Sequence, residues 1–128
     1  MIFEDKKHLL NYDEMDILHK EFIDIYNSLE DETAQSYKNV IMKMFEQSKR
    51  HFCDEEKLMD KYEYPRVREH KDEHQKILGE MEYFISKSNT KMGQMLIKSY
   101  YKEKLPSWFD LHLISMDSDL ASFIKNNS

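Results

Sequence analysis

Two pairs of metal-binding side chains, each spaced four residues apart, lie in the stretch from His51 to His74. The first pair is His51 and Glu55, and the second is His70 and His74. On a helix, residues at i and i+4 lie one above the other on the same face. Between the pairs, a Tyr-Pro dipeptide at 64–65 indicates the end of one helix and the start of another. The stretch therefore predicts a helical hairpin that brings both pairs together, with ligand types that zinc, iron, manganese and copper all use.

Composition limits the fold and the classes of partner. The 128 residues, 40% of them hydrophobic, predict one domain over 1–128 with one core. Two glycines and two prolines leave little turn chemistry, so long helices are expected. The net charge of −6 and the lack of a basic patch argue against nucleic-acid binding. Cys53 is the only cysteine, so no disulfide forms within the chain.

The N-terminal sequence is charged and mixed, without the apolar segment of a signal peptide. No apolar run approaches the length that crosses a membrane. We therefore expect a soluble protein without a membrane partner, cytoplasmic if the host is bacterial. For the oligomeric state, a monomer is the expectation.

Apolar side chains recur at spacings of three and four in four segments. The first runs from Met15 to Leu29, the second follows a cap at Thr33, the third runs from Pro65 to about Lys87, and the last from Lys91 to about Ile124. Short links between amphipathic segments predict an all-α, up-down-up-down antiparallel four-helix bundle. Its fold would be completed by a short N-terminal arm.

Three local features accompany this prediction. Residues 1–10 are expected to form the arm, with Ile2, Phe3, Leu9 and Leu10 as its anchors and His8 as an ordinary surface histidine. In the last segment, Met95 and Leu96 are assigned to the inward stripe together with Trp108, His112, Met116, Leu120 and Ile124. Pro106 removes a backbone donor, which predicts a kink or break near 102–106.

Every segment places histidine on its inward face. These histidines are His19, His51, His70, His74 and His112. One such residue would more often be a hydrogen-bonded core histidine than a ligand. Five of them, with the inward carboxylate of Glu55, favour a metal site, because each buried imidazole needs partners for two nitrogens.

Five histidine nitrogens exceed the needs of one tetrahedral zinc ion, which indicates two ions. Asp117 follows His112 by five residues and would supply a second inward carboxylate if the helix is locally widened or the side chain reaches back. Asp119 is a weaker rival for that position. With two bridging carboxylates and a bridging hydroxide, two octahedral ions would keep about one position open for a small ligand.

Other metal and catalytic patterns are missing from the sequence. Glu-x-x-His, typical of carboxylate-rich di-iron bundles, does not occur, and neither does the His-Glu-x-x-His of zinc proteases. A Gly-rich phosphate loop and a nucleophile elbow are also missing.

The motifs that the sequence does contain closely resemble those of the hemerythrin family in its bacterial single-domain form. The resemblance covers nearly the whole chain. It rests on these motifs: His19, His51-Phe52-x-x-Glu55-Glu56, Tyr64-Pro65 with His70-x-x-x-His74, and Trp108-x-x-x-His112-x-x-x-x-Asp117.

The resemblance implies a non-haem di-iron centre with an oxo or hydroxo bridge that binds O2 reversibly. Its coordinatively filled iron would be held by His70, His74 and His112. The iron with the vacancy would be held by His19 and His51, and Glu55 and Asp117 would bridge the two irons. The oxygen pocket would be lined by Phe52, Trp108, Phe109 and Leu113.

Two departures from the family bear on oxygen access: Phe109 replaces a common leucine, and Pro106 lies just before Trp108. Cys53 lies about 200° around the helix from His51 and should not reach the irons.

The leading functional hypothesis is an oxygen-binding protein that stores, delivers or scavenges O2 and is not an enzyme. One alternative is a di-iron enzyme that reduces peroxide or nitric oxide. Another is an oxygen or redox sensor that acts through a partner. Zinc or manganese as the occupant also stays open, because the ligand types suit both metals.

Overall fold

The computed structural model describes residues 8–127, which form four successive helices and no strand. Helix α1 spans Asp13–Tyr26, α2 spans Ala34–Lys61 and α3 spans Val67–Lys87. The fourth helix, α4, covers residues 91–126 and includes two π-helical turns. None of these helices is both long and apolar enough to cross a membrane. The short links at 27–33, 62–66 and 88–90 suit a bundle, and the up-down-up-down order remains a prediction.

Threonine residues cap the N-termini of two of the helices. The Thr33 hydroxyl accepts a hydrogen bond from the Ser36 backbone N–H, and the Thr90 hydroxyl accepts one from Gly93. These contacts satisfy backbone donors that the first turn of a helix leaves unpaired. Gly93 is required there, because a Cβ at this position would lie 1.6 Å from the Lys87 carbonyl oxygen. The link between α3 and α4 is therefore a tight one.

The histidines and the carboxylate predicted to face inward in the second and third segments are buried on α2 and α3. On α2 the buried residues include Tyr37, Ile41, Met44, Ser48, His51, Glu55 and Leu58. On α3 they are His70, His74, Ile77 and Met81. Both helices are uninterrupted, so one apolar stripe runs along each. The apolar core divides into a large cluster around Phe22, Ile41 and Met81 and a smaller one around Met15, Met59 and Leu120.

Helix α4 departs from regular α geometry twice. Its α-helical segments Lys91–Ser99, Leu105–His112 and Ser118–Asn126 are separated by the π-helical turns Tyr100–Lys104 and Leu113–Asp117. The helix continues through Pro106 without the predicted break, because Lys104 and Leu105 keep right-handed helical dihedrals. A bend at this point stays a prediction.

The inward face at the start of α4 differs from the predicted one. Met95 and Leu96 are 73% and 41% exposed, whereas Gly93 and Ile97 face the core. A π turn holds one residue more than an α turn, so it shifts the inward face of everything that precedes it. The prediction that Met95 and Leu96 face inward was therefore wrong.

Part of the N-terminal arm also differs from the prediction. Ile2 and Phe3 lie outside the described residues. Leu9 is 38% exposed and is not an anchor, whereas Leu10 packs against both core clusters. His8 is buried rather than at the surface: its Nε2 lies 2.9 Å from Oδ1 of Asp110.

Candidate metal centre

Seven polar side chains meet at the centre of the bundle. They are His19, His51, Glu55, His70, His74, His112 and Asp117, and each is at most 5% exposed. Every helix contributes at least one of them. Their nitrogen and oxygen atoms form two groups, and within each group all ligand atoms lie within 4.8 Å of one another. The larger group contains three histidines and the smaller one contains two.

Both groups include the same two carboxylates, and each carboxylate gives one oxygen to each group. Glu55 Oε2 lies 2.7 Å from His51 Nε2 and 3.4 Å from His19 Nε2. Its other oxygen, Oε1, lies 3.2 Å from His74 Nε2 and 3.5 Å from His70 Nε2. A carboxylate in this position can bridge two metal ions.

Asp117 repeats this division. Its Oδ2 lies 2.9 Å from His19 Nε2, and its Oδ1 lies 2.9 Å from His70 Nε2 and 3.2 Å from His112 Nε2. The π turn Leu113–Asp117 makes this possible, because residues five positions apart across a π turn lie on the same face of the helix, as His112 and Asp117 do. Of the two ways in which Asp117 was expected to reach the centre, the local widening of the helix is therefore present.

The larger group lacks the hydrogen bonds that such burial requires. Among the described residues, five of its buried atoms have no partner in suitable hydrogen-bond geometry: Glu55 Oε1, Asp117 Oδ1 and the Nε2 atoms of His70, His74 and His112. At about 1–3 kcal/mol for each unsatisfied group, they would offset a large part of a domain's stability of about 5–15 kcal/mol. These atoms point toward a shared centre, and a cation there would satisfy all of them.

The separations also suit coordination. Ligand atoms about 2.1 Å from one metal ion and at right angles to each other lie about 3 Å apart. The distances between Asp117 Oδ1 and the nitrogens of His70 and His112, 2.9 and 3.2 Å, agree with this spacing. The residues present therefore fit a metal ion in the larger group, and the smaller group offers four ligand side chains of the same types.

The electrostatics of the centre couple metal binding to protons. Burial would lower the pKa of His19, but hydrogen bonds to the carboxylates of Asp117 and Glu55 outweigh it and raise the pKa to about 10. The pKa of His70 rises to about 9 against the same opposition from burial. Burial would raise the pKa of both carboxyl groups, and neighbouring histidines hold both well below their usual values. A metal ion must therefore displace protons from His19 and His70.

Aromatic rings enclose the imidazoles, including three of the four residues assigned to the oxygen pocket. The Phe52 ring stacks on His74 with centroids 3.9 Å apart, and Trp108 stacks on His112 at 4.7 Å. Phe109 meets His19 edge-on at 5.9 Å. The fourth pocket residue, Leu113, is buried in the same apolar cluster as Phe52 and Phe109.

Two acidic residues outside the predicted ligand set support it. Glu56 Oε2 lies 3.0 Å from Nδ1 of His74, a contact that fixes the ring and leaves its Nε2 facing the centre. The Trp108 indole donates a 2.7 Å hydrogen bond to Glu73. Glu56 was part of the quoted motif, but no role was assigned to it. Neither contact could be predicted from local sequence spacing, because each joins two different helices.

Three residues considered at the sequence level lie outside both groups. Cys53 is exposed, as expected from its position on α2. Asp119 pairs with Arg66, with 2.6 Å between Oδ2 and the guanidinium nitrogen, and accepts a hydrogen bond from Tyr64. His8 lies beside Phe109, with ring centroids 5.7 Å apart, and belongs to neither group.

Residues 10–122 match the family described as "Hemerythrin HHE cation binding domain". The chain belongs to the hemerythrin family. No curated protein and no solved structure matches it. Membership of this hemerythrin family and the buried histidine–carboxylate cluster together indicate a metal-binding protein, with iron as the metal that the family suggests.

His8 provides a test that separates burial from metal binding in this hemerythrin. We expect His8→Ala to keep the metal content of the wild type, because His8 belongs to neither ligand group. We also expect it to lower the free energy of unfolding by about 1 kcal/mol, because it removes the partly buried hydrogen bond between His8 and Asp110. Metal analysis and chemical denaturation check the two parts. Loss of metal would contradict the separation of His8 from the centre.

Proposed function

We propose that the chain binds O2 reversibly at a centre of two iron ions. The observation that carries the proposal is the sharing of Glu55 and Asp117 between two ligand groups with unequal numbers of histidines. Two ions held in this way lie close together and differ in how many positions the protein fills. The unequal count favours binding of a small ligand at one ion only.

The residues divide between the two ions as the groups divide. In this proposal, His70, His74 and His112 hold one iron, and His19 and His51 hold the other. Glu55 and Asp117 hold both, with an oxo or hydroxo bridge as a further shared ligand. When bound, the iron pair supplies the electrons that O2 takes up on binding and gives back on release.

The protein's contribution to reversibility is the exclusion of water. Phe52 and Phe109 lie next to the two histidines of the smaller group, at 5.4 Å from His51 and 5.9 Å from His19. Phe109 in turn stacks on Phe22 at 4.5 Å, so the ring is fixed from behind. An apolar wall at this ion disfavours water and anions, which would otherwise promote irreversible oxidation.

The proposal is tested by optical titration of iron-loaded protein. The protein is reduced without air, exposed to O2 and then purged, and iron per chain is counted alongside. We expect two irons per chain and an absorption change that appears with O2 and disappears on purging. Leu113→Ala, which opens the pocket without altering a ligand, should shorten the lifetime of the oxygenated state.

Three other outcomes would each contradict part of the proposal. Two irons with immediate, irreversible oxidation would favour a reductase of peroxide or nitric oxide, or a sensor that acts through a partner. Two bound zinc or manganese ions in place of iron would contradict the choice of metal. A chain that holds no pair of metal ions would contradict the centre itself.

A further inference from the structure

A metal ion needs a route to a centre whose seven side chains are all buried. One cavity of about 150 Å³ touches this centre, because His70 forms part of its wall. It lies between the Tyr64–Arg66 turn that precedes α3 and the second π turn of α4. Through His70, the cavity borders the three-histidine group.

The wall of this cavity consists of seven residues, six of which carry polar side chains. Besides His70, it includes the carboxylates of Glu69 and Asp119 and the hydroxyl of Tyr64. His70 is 1% exposed: its Nε2 lies 2.9 Å from Asp117 Oδ1, and its Nδ1 has no hydrogen-bond partner among the described residues. A buried imidazole in this state, beside two carboxylates, suits a passing hydrated cation, whereas the aromatic wall around Phe52 and Trp108 does not.

Two contacts join residues of the cavity wall, and both involve Asp119. The Arg66 guanidinium lies 2.6 Å from Oδ2 of Asp119, and the Tyr64 hydroxyl donates a hydrogen bond to the same oxygen. Burial and the neighbouring carboxylate raise the pKa of Tyr64 to about 12, so the hydroxyl keeps its proton. The Arg66 side chain is 57% exposed, so it can leave Asp119 without unpacking the core.

We propose that this cavity is the port through which divalent metal ions enter and leave the centre, with the Arg66–Asp119–Tyr64 contacts as its gate. When Arg66 moves away, Asp119 and Glu69 present two carboxylates to an incoming cation, and His70 is the first ligand that the cation meets. The inference rests on the metal centre proposed above and adds its route of loading. A gate of this kind changes rates of entry and exit equally and leaves the affinity unchanged.

The test uses Co2+ as the probe with the metal-free chain of 128 residues. Uptake is followed by visible absorption, and removal is followed after addition of EDTA. We expect Arg66→Gln and Tyr64→Phe to raise both rates by about two- to fivefold, the effect of losing one exposed ion pair or hydrogen bond. The number of Co2+ ions bound and their dissociation constant should match those of the wild type.

Arg50→Gln is the matched control. Arg50 is 62% exposed, lies 2.8 Å from a Glu21 carboxylate oxygen and is not part of the cavity wall, so both rates should stay at the wild-type value. Equal acceleration by Arg50→Gln, or no acceleration by Arg66→Gln, would overturn the port. Faster removal alone, with weaker affinity, would show a damaged centre and would overturn it too. If the wild-type chain binds Co2+ and the variants show unchanged rates, the port is overturned and the metal centre stands. If the wild-type chain binds no Co2+, both the port and the metal centre are overturned.

Discussion

Glu55→Ala is expected to remove both metal ions of the proposed centre from the chain. The two oxygens of Glu55 serve different ligand groups, so its loss removes one ligand from each group at once. It also leaves His51, His70 and His74 buried without the carboxylate beside them. We expect less than about a tenth of the wild-type metal and a loss of about 3–5 kcal/mol in the free energy of unfolding. Elemental analysis and chemical denaturation measure the two quantities.

Two further variants keep this prediction informative if Glu55→Ala folds poorly. Glu55→Gln preserves the size of the side chain but offers one oxygen, so it should fold and still lose the metal pair. Asp54→Ala removes an acidic residue from the exposed neighbouring position on α2 and should keep full metal content. His74→Ala should lose metal from the three-histidine group. Full metal content in Glu55→Gln or His74→Ala would contradict the placement of that residue in the centre.

The sequence predicted the parts of this centre that depend on uninterrupted helices. His51 with Glu55 and His70 with His74 lie on α2 and α3, where regular α geometry holds throughout and spacings of four place side chains on one face. The inward positions of both helices followed from the same rule. The predicted start of the third helix was two residues early, because the chain after Tyr64 first makes a turn.

Helix α4 and the arm show what local spacing does not reveal. Asp117 reaches the centre only because a π turn follows His112, and a π turn has no strong sequence signal. Met95 was predicted to face inward, but it is exposed on the α-helical segment that precedes the other π turn. His8 was assigned to the surface because its contact, Asp110, lies far away in sequence. Contacts of this kind depend on how the helices pack, which a single sequence does not give.

Metal removal is expected to reverse the pH dependence of stability. In the metal-free chain, the pKa values of His19 and His70 are raised to about 10 and about 9, from 6.5 in an unfolded chain. The folded state then binds more protons than the unfolded state between about pH 6.5 and 9, so stability must fall as pH rises through this window. The carboxylates of Glu55 and Asp117 have lowered pKa values, so their contribution is lost only in more acidic solution.

The metal-loaded chain should behave in the opposite way. Metal binding displaces the protons of His19 and His70, about two per chain, so binding strengthens as pH rises toward 9 and the loaded protein becomes more stable. Thermal unfolding of zinc-loaded and EDTA-stripped protein at pH 6.5, 7.5 and 8.5 checks both directions without oxygen chemistry. We expect the unfolding midpoint of the stripped chain to fall by about 5 °C or more across this range. If the stripped chain becomes more stable as pH rises, these histidines are not held protonated by the two carboxylates. If metal loading releases no protons, His19 and His70 are not the ligands.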